Sequence, residues 1–435
     1  MTVIFSGPSG EDTPGNRLKG ISDQYIAQIS SIIEINRSVI PELAARKENE
    51  FSRIVDEVME TLPPAERKAS RKYLTQFRDN LGTLIDSADT EPKPRLSIEI
   101  PERGAGAAIT HLILRFGSLA KAGPQDALLR RSLLVSAISA FEVLFGRVAR
   151  TIYNVNISAL NDSDHSFTLQ EMAAFSTLDD AREYLIERRI STLLRDSIDG
   201  WEKWLKRACG GASMESLPIF WPLVRESFAR RNLLVHTGGS VNHLYVSVVE
   251  KLGIPDLAKA KPGMRVEVNE AYLDWVLQEL LALGHLLVCA VGTKLYKKET
   301  ELFTLAAVNA ARDLSLQRAN HSSKAVCDFA LSRNLSRRTE MNLRVRRWLS
   351  IKESTGLEGI RSEIEDWDTS GLDPSIAHCK LVLLDDVDPA RKAVEDLITA
   401  GELSRFEIAI DPLYKELVKA AASRQEATDP RDSDD

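Results

Sequence analysis

Residues 127–153 read ALLRRSLLVSAISAFEVLFGRVARTIY. Leu128, Leu129, Leu133, Leu134, Ile138, Phe141, Leu144, Phe145, Val148 and Ile152 recur at helical spacing and cover more than one stripe of the helix they imply. A helix apolar over that much of its circumference belongs at the centre of a bundle. The stretch therefore predicts an all-α chain. Alternating apolar and polar residues are scarce and aromatics make up 6% of the chain, which argues against a sandwich or barrel.

Moving toward the C-terminus, the same periodicity predicts helices at about 178–196, 201–208, 222–236 and 270–296. Pro222 suits the first turn of its helix, where a missing amide is not missed, and Gly238 and Gly239 supply the left-handed exit that closes it. Residues 240–268 are mixed, and their VSVV and RVEV pieces read as short strands or loop. Beyond Glu299, apolar sets at 302–314, 325–331, 343–351, 357–364, 376–384 and 393–398 form helix–turn–helix pairs spaced roughly 30 to 40 residues apart, the range of tetratricopeptide-type repeats. Toward the N-terminus, apolar positions in 21–43, 51–62 and 65–85 predict three helices, interrupted by Pro63 and Pro64. The stretch SADTEPKPRLSIEIPERGAG at 87–106 breaks the pattern, with only 109–119 ordered enough for a helix. The expected organisation is a helical N-terminal module (1–90), a linker with a short helix (91–124), a central helical bundle (125–297), helical repeats (298–420) and a disordered polar tail (421–435).

Composition narrows the function. A chain of 435 residues has room for about three domains. Lys+Arg 56 against Asp+Glu 63 leaves a net charge of −7, so any nucleic-acid contact must be a local site rather than a general affinity. Cys209, Cys289, Cys327 and Cys379 form no CxxC pair, which argues against a disulfide framework, a thioredoxin-like motif or a zinc ribbon and fits a reducing cytosol. The first 20 residues do not read as a signal peptide, and the uncharged stretch Leu280 to Thr293 is too short to span a bilayer. A cytoplasmic protein without a membrane partner is expected, and no segment asks for a metal or a cofactor.

One segment carries chemistry. Ala229-Arg230-Arg231-Asn232-Leu233-Leu234-Val235-His236-Thr237-Gly238-Gly239 puts an Arg, an Asn and a His at the C-terminal end of an amphipathic helix. Phosphodiester cleavage asks for such a set. A guanidinium stays charged and holds phosphate oxygens as negative charge develops, while an imidazole titrates near neutral pH and moves a proton. Asn232 and His236 are four apart, about 40° around the helix, and can touch; Arg231 stands about 140° from His236 unless the helix end unwinds. No other His of the chain has an Arg five positions before it.

At Arg231, Asn232 and His236 the sequence resembles the HEPN superfamily, whose mark is Arg, commonly followed by Asn, and then His after a short interval on a late helix of a small α-bundle. The continuation through Asn242 and Tyr245 and the early helix bearing Phe141-Glu142 are similar to the family as well, and the likeness spans residues 125 to about 296. The resemblance implies a metal-independent endoribonuclease in which the RNA 2′-hydroxyl attacks the adjacent phosphate to leave a 2′,3′-cyclic phosphate. It implies a site formed across a homodimer. In it His236 would transfer protons, Arg231 clamp the phosphate, Asn232 orient its neighbour and Glu142 support Arg231 or His236. Helical repeats after such a domain resemble regulated toxins and anti-phage effectors, with a regulatory protein partner at the repeats.

The competing expectation is a non-catalytic helical scaffold or RNA-binding module, in which His236 is a C-terminal histidine favoured by the helix dipole and Arg231 and Asn232 are surface residues. Arg230 reads as surface charge. The arginines at 333, 337, 338, 344, 346 and 347 read as a solvated helical face, Asp385, Asp386 and Asp388 as a helix-flanking turn, and His243, His285 and Cys289 as loop and core residues. No GxxxxGK segment is present.

Overall fold

In the computed structural model the stretch at 127–153 lies within one continuous helix, and the chain is all-α. The structure describes residues 12–43, 125–160, 167–172, 174–254 and 260–428, with residues 45, 56, 60, 64 and 67 besides. The helices expected at 51–62, 65–85 and 109–119 fall outside these but for single residues, as does 429–435. The principal helices are α1 (Pro14–Glu34), α2 (Gln125–Val155), α3 (Leu178–Leu193), α4 (Ile198–Ala208), α5 (Trp221–Thr237), α6 (His243–Leu252), α7 (Glu270–Leu295), α8 (Thr300–Leu316), α9 (Asn320–Leu331), α10 (Arg337–Thr355), α11 (Arg361–Glu365), α12 (Pro374–Leu383), α13 (Val387–Thr399), α14 (Arg405–Ile410) and α15 (Lys415–Thr428). Among the described residues there is no strand, only an isolated antiparallel bridge between Ser240 and Arg265.

Two local expectations are corrected. The VSVV piece is not a strand but part of α6, despite its β-branched residues. Asn242 caps that helix by accepting from the Tyr245 amide at 2.9 Å, Gly253 ends it at φ 64°, and Tyr245 and Val249, one turn apart, are both buried. Burial of one helical face outweighs the weak intrinsic preference. The tail expected to be disordered from residue 421 continues as α15 through Thr428. Three consecutive alanines, Ala420 to Ala422, favour helix there.

Contacts divide the chain into two units that are discontinuous in sequence. The first comprises Met1–Ile29, Ala140–Val224 and Gln278–Asp435; the second comprises Ser30–Ser139 and Arg225–Leu277. This division crosses the chain-order modules expected from sequence.

The first unit has an aromatic and aliphatic core. Phe145 of α2 stacks on Trp201 of α4 with ring centroids 4.6 Å apart, and Tyr25 of α1 meets Phe141 edge-on at 6.3 Å. The Tyr25 hydroxyl, buried with its ring, donates to the Leu280 carbonyl of α7 at 2.7 Å. Close approach at this junction needs Gly284, since a Cβ there would lie 2.1 Å from Tyr25 and 2.7 Å from Leu144. Beside it His285 is buried among apolar groups, its Nδ1 2.9 Å from the Ser22 hydroxyl and its Nε2 3.7 Å from the Cys289 sulfur. Burial pushes the imidazole pKa down to about 4. His285 and Cys289 are thus core residues.

Toward the C-terminus consecutive helices pack on their neighbours, α8 on α9, α9 on α10 and α12 on α13. Trp348, Leu349, Ile364, Leu383, Ala390 and Tyr414 lie at the heart of their core. α9 lacks a side-chain cap of its own. Gln278 of α7 provides one, its side chain accepting from the His321 amide at 2.9 Å while its carbonyl accepts from the Ser322 hydroxyl at 2.6 Å. The arginine run is not simply solvated: Arg346 makes a two-pronged pair with Asp411, and Arg347 pairs with Asp328 at 2.6 Å. By length and hydropathy α2 and α7 are each sufficient to cross a bilayer, yet 61% and 89% of their most apolar windows are packed inside the fold.

Candidate functional site

The second unit holds the Arg-Asn-His segment, and its geometry starts from a polar core. Glu226 and Arg230, one turn apart on α5, are 0% and 5% exposed. Arg230 Nε donates to Glu226 Oε1 at 2.7 Å, one Nη donates to the Glu267 carbonyl, and the other donates to the Tyr245 hydroxyl at 3.3 Å. The Tyr245 and Tyr272 hydroxyls both donate to Glu226, the latter at 2.6 Å, and the guanidinium lies 3.9 Å from the centre of the Tyr272 ring. Burial opposes the charge on Arg230. The Tyr272, Glu226 and Tyr245 oxygens more than offset that, so its pKa is raised. Burial and the Glu226 charge likewise raise the pKa of both tyrosines, which stay neutral donors. Arg230 is therefore not surface charge. It is the cation of a buried pair in which each charge has several partners, the condition under which such a pair is tolerated.

The chain after α5 is folded to deliver those tyrosines. Gly238 and Gly239 adopt φ 62° and 89°, and the Gly239 amide returns to the Leu233 carbonyl at 2.9 Å. The Thr237 hydroxyl donates to the Leu233 carbonyl at 2.9 Å. Backbone bonds from Val241 to Met264 and from Val266 to Gly239 then hold the RVEV piece against this turn. Leu233, Val241, Tyr245, Val249 and Val266 close around it as an apolar cluster. Elsewhere in the unit, a π-helical turn at Ile35–Val39 carries Arg37, which makes a two-pronged pair with Asp274, at 2.6 and 3.0 Å.

The outward face of α5 carries the residues singled out by sequence. Arg231 is half-buried and donates from one Nη to Asn232 Oδ1 at 3.2 Å. Asn232 thus accepts from the guanidinium beside it in sequence, and among the described residues no hydrogen bond joins it to His236. His236 is exposed and makes no hydrogen bond among the described residues. α5 remains helical through Thr237, so the end does not unwind to bring Arg231 round, and about 140° separates it from His236. Glu142 is half-buried on α2 within the first unit. His243 begins α6 and is exposed; it is not in a loop.

Sequence reasoning missed Glu226, Tyr245 and Tyr272 as the support beneath the site. The signal available was the acid four residues before an Arg, a spacing that puts both on one helical face. Among the described residues no group of three or more His, Cys, Asp or Glu side chains has the arrangement of a metal site. Chemically, the outward face offers an imidazole open to solvent and a guanidinium steadied by an amide, carried on a helix whose inner face is clamped. Compared with protein-family models, with curated proteins and with solved structures, the chain finds no match in any of the three.

Proposed function

We propose that this chain is a HEPN-like, metal-independent endoribonuclease of the cytoplasm, a regulated toxin or anti-phage effector that cuts RNA at a site shared by two copies. The observation that supports it is the solvent-open His236 on the same helix as the Arg231–Asn232 pair, a helix held by the buried Glu226–Arg230 pair. Attack of a ribose 2′-hydroxyl on its phosphate needs a base, an acid and a charge clamp. One chain presents on α5 a single imidazole, and the Arg231 guanidinium lies on a different azimuth from it. Two copies about a two-fold axis supply two of each, and self-complementary contacts are the commonest oligomeric geometry. In this scheme His236 transfers the proton, Arg231 holds the phosphate and Asn232 fixes the direction of Arg231.

The test is RNA cleavage by the full chain in excess chelator, beside His236→Ala and Arg231→Ala. The expected outcome is cleavage leaving cyclic phosphate ends that both substitutions abolish, with the helical signal and melting temperature retained. Cleavage indifferent to both substitutions would exclude this site. A second reading, a non-catalytic docking module, is favoured by Val235 and Leu244 beside the motif, which are 51% and 78% exposed. It expects Leu244→Asp to abolish self-association or partner capture while no RNA is cut by any variant.

A further inference from the structure

We propose that a cleft among α8, α10, α12 and α14 binds a small phosphorylated molecule through Arg312 and Arg338. The cleft has a volume of about 590 Å³, within the range of small-ligand sites. It lies wholly within the first unit and is independent of the Arg231/His236 reading.

Two helices each present the same pair of groups to it. Asn309 and Arg312 stand three apart on α8, Arg338 and Asn342 four apart on α10, and all four line the cleft. These spacings put both members of each pair on one helical face. Arg312 and Arg338 are exposed, and among the described residues neither forms a hydrogen bond or ion pair.

Carboxylates are present in the lining but are already engaged. Glu407 accepts from the Ser404 amide at 2.9 Å and the Ser404 hydroxyl at 2.7 Å, as the third-residue partner of the N-cap Ser404 in the capping box of α14. Asp411 accepts both prongs of Arg346 and the Leu413 amide at 3.0 Å. Burial alone would raise the Asp411 pKa, but Arg346 outweighs it and holds the carboxyl below its ordinary range. Both acids sense Arg312 only at longer range.

Two guanidiniums without a hydrogen bond or ion pair among the described residues, Arg338 sensing Asp373 only electrostatically, and two amides make a donor set richer than one carboxylate can satisfy. A phosphate group, with several strong acceptor oxygens and up to two charges, matches it. Val308, Leu316, Leu403 and Ile410 give the cleft an apolar wall for the organic part of the ligand. The one aromatic ring in the lining, Tyr414, is buried and stacked on His378, so the site has no exposed ring on which a nucleobase would stack.

Titration calorimetry on the full chain at low salt, with inorganic phosphate, pyrophosphate and glucose 6-phosphate as probes, tests this. At least one probe is expected to bind with Kd near or below about 1 mM. The double variant Arg312→Gln/Arg338→Gln should weaken it about tenfold or more, and Arg337→Gln, beside the cleft but not in its lining, should leave it unchanged. Arg→Lys at both positions, which keeps charge and loses the planar fork, should fall between. Because both arginines are exposed, the variants are expected to melt with the wild type, which the same samples verify. No binding by any probe, binding undiminished in the double variant, or a penta-glutamate peptide binding as tightly as the phosphates would each overturn the proposal, the last in favour of a protein partner.

Discussion

The two units are closed differently at two of their buried centres, Gly284 and Glu226. Around Gly284 the first unit is closed by area and shape: Tyr25, Phe141, Phe145 and Trp201 fill the space, and Gly284 marks a point where nothing larger fits. Around Glu226 the second unit is closed by pairing, with a carboxylate and a guanidinium taken out of water and further hydrogen bonds supplied by Tyr245, Tyr272 and a backbone carbonyl. An apolar core fails when volume changes, whereas an ionic core fails when one partner is removed. The difference bears on function because the charged core lies under the helix that carries the candidate site.

The contrast is broken most sharply at Glu226. Glu226→Gln leaves Arg230 charged and buried without its anion, and a loss of about 3 to 5 kcal/mol is expected in denaturant unfolding. Replacing both residues, Glu226→Leu with Arg230→Met, should cost less than the single change. If the single change proves harmless, the second unit is not held by pairing.

Acid tests the first unit at the buried imidazole of His285. The unfolded chain protonates His285 near pH 6.5, the folded protein only near pH 4. Between those values the unfolded state binds the extra proton, so stability is complete above about pH 6.5 and falls as pH drops toward 4. About 3 kcal/mol is expected from this group. His378, also depressed by burial, acts in the same direction. His285→Leu should flatten the pH dependence of the melting temperature across that window.

Gly284→Ala comes next. A methyl group 2.1 Å from the Tyr25 ring forces repacking, and about 1 to 3 kcal/mol should be lost with no change in the polar core. The smallest stability effect belongs to the outward face of α5. His236→Ala and Asn232→Ala should each shift unfolding by no more than about 0.5 kcal/mol. A larger shift would mean that these side chains serve the fold rather than the site.

Much of this was legible along the chain. The spacing of Leu133, Phe141, Val148 and Ile152 announced α2, and Pro222 with Gly238–Gly239 bracketed α5 to within a residue at its start and end. The outward trio Arg231, Asn232 and His236 was visible as a motif. Less was legible where the deciding partner is remote. Nothing in the VSVV piece tells that Asn242 and Gly253 frame a helix whose Tyr245 must reach Glu226, and nothing near Asn320 tells that Gln278 caps α9.

Arg230 and Arg231 show where the boundary falls. The sequence by itself determined that the two lie near the end of one amphipathic helix, because apolar periodicity and glycine stops act over a few residues and need no partner. Only the tertiary structure decided that Arg230 is buried and Arg231 only half-buried. Burying a charge depends on partners that the chain delivers from afar, here Tyr245 at 15 residues from Arg230 and Tyr272 at 46 from Glu226.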